Sequence, residues 1–351
     1  MSNQPPIGVP QGAIRFNTDS QKLEFYAQDR WYEMATDFPY LGGNGNASTD
    51  PTGNSSDQSA GARGIFTIAI TSPASVINYL TIPSAGDSVN FGNLSSNRIN
   101  AAALASRTRA VFGSGYVPSP GDSTCVIDFV TIASTGNATS FGALTYKNYV
   151  PAAFSNQTRG IFAGGFNIPG GGNQNDISLI TIASEGNGTD FGDLITAANS
   201  PEGTASPTRG IVAGGQTPTR LNRIEFVTIA STGNAQDFGD LTQTKAGLGA
   251  LSSTTRGIFA GGYTPTVLKD IEKVEIATKG NAQDFGDCTT VRRYCGGMSD
   301  CVRGVVAAGH NPSATSNIDY FGISTGGDAI DFGDQTNAGQ TSGTSNAHGG
   351  L

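Results

Sequence analysis

Phe-Gly occurs six times at near-regular intervals, at Phe91, Phe141, Phe191, Phe238, Phe285 and Phe332, with a period of 47 to 50 residues. An Arg follows each of the first five Phe by 18 positions (Arg109, Arg159, Arg209, Arg256, Arg303), and Arg63 opens the series. An Ile precedes every Phe by 14 (Ile77, Ile127, Ile177, Ile224, Ile271, Ile318) and another by nine (Ile82, Ile132, Ile182, Ile229, Ile276, Ile323). Self-similarity at such a period is the mark of an architecture built from stacked supersecondary units. It therefore governs the reading of everything after residue 60.

One unit, from Arg256 to Asp287, reads RGIFAGG, a loop, IEKVEIA, then TKGN and AQDFGD. The first run is β-branched and aromatic and stops on a Gly pair. The second is apolar on both phases, as a strand covered on both faces must be. TKGN carries a Gly-Asn turn signal that makes the following run its hairpin partner. A weaker strand fits the stretch before each Arg, such as Gly247 to Leu251. Four short strands per unit, in six units, predict an all-β fold: a six-bladed β-propeller. Counting 18 from Phe332 reaches Gly350, so residues 341–351 occupy the slot that precedes Arg in the other repeats. This tail is expected to supply the strand missing from the blade opened by Arg63, with the residues just before Arg63 as the competing donor, because an open ring would leave strand edges exposed.

At these residues the chain resembles the kelch family of propellers. Gly164-Gly165, Gly214-Gly215 and Gly261-Gly262 look like the kelch double glycine, and Phe238 and its equivalents stand where kelch repeats place an aromatic. The chain departs from that pattern in using Phe-Gly instead of Trp, and the pair becomes Thr67-Ile68, Ser114-Gly115 and Ala308-Gly309 in three repeats. TRGIFAGG joined to GNAQDFGDL is similar to kelch-like repeats in proteins of tailed bacteriophages, especially those infecting cyanobacteria.

The first 60 residues follow another rule. GAIRFNTDSQKLEFYAQDRWYEMA, residues 12–35, alternates apolar and polar residues around two turn signals, NTDS and AQD, which predicts a three-stranded meander. A sheet that small has little core and needs a partner or an oligomer, such as a homotrimer. Its string resembles a short element common near the ends of phage fibre and other virion proteins. The expected organisation is a β module at 1–36, a Gly/Asn/Ser-rich flexible linker at 37–62 and the propeller at 63–351.

Charge narrows the partners. The chain carries a net charge of −8, with 3 basic and 7 acidic side chains in residues 1–60 and 17 and 21 in the rest, so no region is basic enough to track a nucleic-acid backbone. The opening MSNQPPIGVPQG has neither a positive n-region nor an apolar run, and no stretch of ~18 apolar residues occurs, so the expectation is a chain neither exported through a signal peptide nor inserted in a membrane. Cys288, Cys295 and Cys301 stand at gaps that fit no zinc pattern, and Cys288 falls where other repeats carry Leu, which favours buried small side chains over a disulfide or a metal. With His310 and His348 the only histidines, a copper site needing paired His ligands is not expected. No catalytic residue, cofactor or metal site is assigned.

All length variation between repeats falls between Arg and the first Ile, where the spacing runs from 14 to 18. These segments join second to third strands and emerge on one face, the usual place for binding on a rigid scaffold. The residue seven after each Arg is Ile70, Tyr116, Phe166, Gln216, Tyr263 or His310. Tyr116, Phe166, Gln216, Arg220, Tyr263 and His310 are the candidate ligand-binding set, since rings at a wet rim can stack on sugar faces; the competing reading is that they cap the blade ends. The six repeat Arg are expected to be structural, bonded to carbonyls or acids at blade junctions, with Asp193, Asp240, Asp287 and Asp334 as candidate partners. Asp190, Asp237, Asp284 and Asp331 read as strand-surface acids before a calcium set.

Taken with the resemblance, these features lead to an expected function: a structural virion protein of a tailed phage, assembled in the host cytoplasm. Its N-terminal module would contact other virion proteins, and its propeller would act as a fibre or appendage that binds a host-surface glycan or protein. The alternatives are a head or neck decoration protein with structural contacts, or a glycan-active enzyme with paired carboxylates.

Overall fold

The computed structural model describes residues 10, 12–17, 22–27, 30–33, 62–69 and 75–351. Contacts divide the chain into two units, Met1–Ser48 and Thr49–Leu351. The first holds a three-stranded antiparallel sheet, Ile14–Asn17, Lys22–Ala27 and Arg30–Glu33, in consecutive order. This is the predicted meander. Tyr26 is buried and its ring lies 5.3 Å from that of Trp31, over which the Arg15 guanidinium sits at 4.3 Å. The predicted linker lies outside the described residues except at Ala62.

The second unit is a six-bladed β-propeller, and among the described residues the fold is all-β. Blade 4 shows the plan: Glu202–Ala205 innermost, then Arg209–Ala213, Arg223–Thr228 and Gln236–Asp240 at the rim, each antiparallel to the next. Blades 2, 3, 5 and 6 repeat it, with innermost strands Ala102–Ala105, Ala152–Ser155, Gly249–Ser252 and Gly296–Ser299. Blade 1 takes its innermost strand from the other end of the sequence. Gln340–Ser345 pairs with Arg63–Ala69 in a register running from Gln340 opposite Ala69 to Ser345 opposite Gly64. The tail, and not the segment before Arg63, closes the ring.

The core sits between blades. Each interblade cluster joins the first Ile and the Phe of one blade to the second Ile of the next: Ile77 and Phe91 with Ile132, Ile177 and Phe191 with Ile229, Ile318 and Phe332 with Ile82 across the closure. All twelve Ile are buried to within 2% of full burial or completely. At about 1.5–3 kcal/mol each, they are a main source of ring stability. One detail corrects the sequence reading: third strands end a residue before the second Ile, at Thr81, Thr181 or Thr228, so Ile82, Ile182 and Ile229 begin the following turn.

The Gly-Asn turns do two things. As expected, they join each third strand to an antiparallel hairpin partner, Arg223–Thr228 with Gln236–Asp240 in blade 4; what the spacing does not show is that they also dock on the neighbouring blade. Gly233 N donates to Phe191 O at 2.7 Å, and Asn234 Oδ1 accepts from Asp193 N at 3.0 Å. The Gly of each Phe-Gly is what permits this approach: at Gly192 (φ +143°) an added Cβ would run into the Gly233 carbonyl.

The repeat Arg staple the same junctions. Arg109 Nη1 donates to Ile182 O and Ala183 O, both at 3.1 Å, and Arg209 Nη1 to Ile276 O at 2.7 Å and Ala277 O at 3.0 Å. Arg63, Arg159 and Arg256 reach Ile132, Ile229 and Ile323 in the same way, and Arg303 reaches Ile82 and Pro83 across the closure. The carbonyl alternative is correct. Asp193, Asp240, Asp287 and Asp334 are not the staple partners, because they contribute backbone N–H groups to the neighbouring turns.

Candidate ligand-binding face

Antiparallel alternation puts the second-to-third-strand loops and the connections from each rim strand to the next innermost strand on one end of the propeller. The repeat Arg, which open the second strands, lie at the other. On the loop end the second strand stops where the chain turns left-handed, at Gly164 (φ +69°) and Gly165 (φ +101°) in blade 3. Ser114 (φ +66°) and Ala308 (φ +53°) take the same strained conformation where the sequence lacks the first Gly.

The residue after this turn then pairs with the connection from the preceding blade: Tyr116 with Ile99, Phe166 with Tyr149, Gln216 with Asn199, Tyr263 with Ala246, and His310 with Arg293. The sixth equivalent, Ile70, lies outside the described residues. Beside these bridges runs a girdle of backbone bonds around the axis. Val150 N donates to Asn100 O, Ser200 N to Val150 O, Gly247 N to Ser200 O, Tyr294 N to Gly247 O and Thr341 N to Tyr294 O, at 2.6 to 3.2 Å. The backbone of the predicted set therefore does cap the blades, while its side chains stay half-exposed on a rigid rim.

Two aromatic groups result. Tyr116, Tyr149 and Phe166 form a string across blades 2 and 3, with both successive centroid distances 5.8 Å. Tyr263 and Tyr294 pair at 5.9 Å across blades 5 and 6. The Tyr263 hydroxyl donates to Gln216 Oε1 at 2.8 Å, and burial pushes its pKa up to about 12. Arg220, held opposite Gln216 in a short ribbon, places its guanidinium 4.5 Å from the Tyr263 centroid, and Arg293 lies 4.9 Å from that ring and 5.6 Å from Tyr294. Gln216, Arg220 and Tyr263 are thus brought together, Tyr116 and Phe166 form the other group, and His310 stands at the bridge to Arg293 with its Nδ1 buried and unpartnered.

Tyr149, Arg293 and Tyr294 were not legible as site residues. They lie eight or nine positions after Phe-Gly's Phe, in connections of constant length, and only the change of residue type at those positions from blade to blade marks them. One position earlier, the connections bear buried cations. Arg98 meets Asp128 at 2.9 Å, Arg292 meets Asp319 at 2.6 Å, and Lys245 is paired with both Asp270 and Glu272. These acids sit on the third strands and anchor the connections: Thr242 N and Oγ1 both donate to Glu272, and Thr289 does the same to Asp319. Their role is to hold the face in shape.

The axis itself is nearly filled. The innermost strands line it with Ala, Gly and Ser, leaving a cavity of about 40 Å³ near Ser155, Ser252 and His348 and one of about 20 Å³ beside Glu202 and Cys295. A few waters fit such volumes, whereas small-molecule sites span ~300 Å³ or more. His348, from the closing tail, plugs the stapled end: its Nε2 lies 2.9 Å from Ala105 O, and burial lowers its pKa to about 4. The Glu202 carboxyl accepts a hydrogen bond from the Gly203 N–H at 3.2 Å, and burial raises its pKa to about 8.

Cys288 and Cys295 are packed in the core between blades 5 and 6, and all four cysteines are free. Asp190, Asp237, Asp284 and Asp331 are exposed on the rim strands. No protein-family model and no curated protein matches the chain.

Proposed function

We propose that this chain is a non-catalytic binding protein whose propeller engages a surface glycan through the loop face, and whose N-terminal module fastens it to the particle of a tailed phage. The binding half of the reading rests on the Tyr116–Tyr149–Phe166 string. Three half-buried rings, evenly spaced on a hydrogen-bonded rim, give sugar rings apolar platforms whose geometry is set before binding. The virion half rests on the sequence resemblance alone. As a fibre or appendage protein, the chain would meet its host receptor with the end opposite to the one where the described propeller begins, at Ala62 and Arg63.

Binding of the full-length chain to an array of bacterial surface polysaccharides tests the first half. Tyr116→Ala with Tyr149→Ala is expected to weaken the bound glycan at least tenfold while the melting temperature stays within a few degrees. Unchanged binding by this variant would contradict the reading.

A further inference from the structure

The cations of the propeller divide into two kinds. On the connections, Arg98, Lys245 and Arg292 are buried and neutralised by Asp128, by Asp270 and Glu272, and by Asp319. Arg220 and Arg293, on the same end, meet no carboxylate among the described residues, and the Nε of each is buried without a hydrogen-bond partner. Both are stacked on Tyr263 instead, with the guanidinium carbons 4.5 and 4.9 Å from its ring centroid. Two half-exposed guanidinium groups fixed against one ring, neither of them paired with a carboxylate among the described residues, leave N–H donors free on the face for an anion to accept.

We infer that the Arg220–Tyr263–Arg293 cluster, together with Tyr294, is a subsite for the carboxylate of an acidic sugar, a uronic acid within an oligosaccharide. A guanidinium presents paired N–H donors that match a planar carboxylate, a fit that a lysine cannot reproduce. Stacking on Tyr263 holds each plane in place, and the hairpin pairing Gln216 with Arg220 and the bond from Tyr263 to Gln216 hold the ring. Tyr294 offers the adjoining apolar surface for the sugar ring. The site spans blades 4, 5 and 6, where the loops carry cations, whereas the string on blades 2 and 3 is uncharged. The inference deepens the glycan-binding reading and rests on it.

The test titrates the full chain with oligogalacturonate and with its methyl ester, which keeps the sugar rings and removes the charge. The acid form should bind, the ester should bind at least tenfold more weakly, and Arg220→Gln and Arg293→Gln should each reduce binding of the acid form at least tenfold. Arg220→Gln lies on an exposed ribbon and serves if Arg293→Gln fails to fold. Equal binding of acid and ester that is lost in Tyr116→Ala with Tyr149→Ala would overturn the carboxylate subsite and leave the glycan reading standing. Arg-dependent binding of dextran sulfate without oligogalacturonate binding would also overturn it, in favour of sulfate esters. Failure to bind any glycan, neutral or acidic, would overturn both.

Discussion

Asn346 Oδ1 accepts a hydrogen bond from the backbone N–H of Arg63 at 2.8 Å, across 283 residues of sequence. Asn156 makes the same 2.8 Å bond to Arg159, three residues away, inside blade 3. Ser106, Ser206, Ser253 and Asp300 do so for Arg109, Arg209, Arg256 and Arg303. The tail therefore restores to blade 1 not only a strand but also the polar turn that starts every second strand. Deleting 341–351 should produce aggregation or a large loss of melting temperature, because it opens the ring and exposes the edge of Arg63–Ala69. Asn346→Ala alone should cost about 1 kcal/mol, in line with the loss of one such bond. A monodisperse, fully stable truncation, checked by light scattering and thermal unfolding, would contradict this closure.

Each Arg staple should be separable from the core beneath it. Arg209→Met removes the bonds to Ile276 O and Ala277 O but keeps the stem over Phe226, whose ring lies 4.7 Å from the guanidinium. A loss of about 1–3 kcal/mol in urea unfolding is expected. An unchanged midpoint would mean that the staple contributes nothing.

Ile229 is completely buried between blades 3 and 4. Placing an unpaired carboxylate there has no compensation, so Ile229→Asp should yield no folded protein, and Ile229→Ala should cost about 2–5 kcal/mol. A soluble Ile229→Asp protein that melts like the parent would refute the packing.

Two axial groups should give opposite pH slopes. His348, lowered to about 4, keeps its full stability above its ordinary value of 6.5 and loses it as pH falls toward 4, because only the unfolded chain takes up the proton. Glu202, raised to about 8, behaves in reverse: stability is complete below its ordinary 4.5 and declines as pH rises to 8. Between pH 4.5 and 6.5 the two nearly cancel. Glu202→Gln should leave a protein whose stability rises with pH across that window, relative to the parent, and His348→Gln one whose stability falls. Parallel pH profiles for all three proteins would show that neither group titrates as described.

The ring was legible because its determinants recur: Phe-Gly, Ile, Arg and the double glycine must repeat for blades to stack, so the chain displays its own comparison. The Arg partners were only half legible. Spacing shows that a donor faces the next blade, but it does not distinguish a carbonyl such as Ile182 O from a carboxylate such as Asp193. The site was least legible where it departs from the repeat. Tyr149, Arg293 and Tyr294 occupy positions filled elsewhere by Ile, Asn, Ala, Gln, Val, Ser, Gly and Thr, and only the fold brings them beside Phe166 and Tyr263. The buried acids Asp128, Glu272 and Asp319 were hidden for a related reason, since each meets its cation, Arg98, Lys245 or Arg292, on a connection that the sequence does not show to be adjacent.

Hydrogen–deuterium exchange of the full chain, with and without a polysaccharide that it binds, tests the loop face most directly. The account predicts slowed exchange in the loops at 116–123, 166–175, 216–222 and 263–269 and in the connections at 149–150 and 293–294, with the stapled turns at 133–137, 183–187 and 230–234 unchanged. Protection confined to those stapled turns, or to the strands of the N-terminal module, would contradict it.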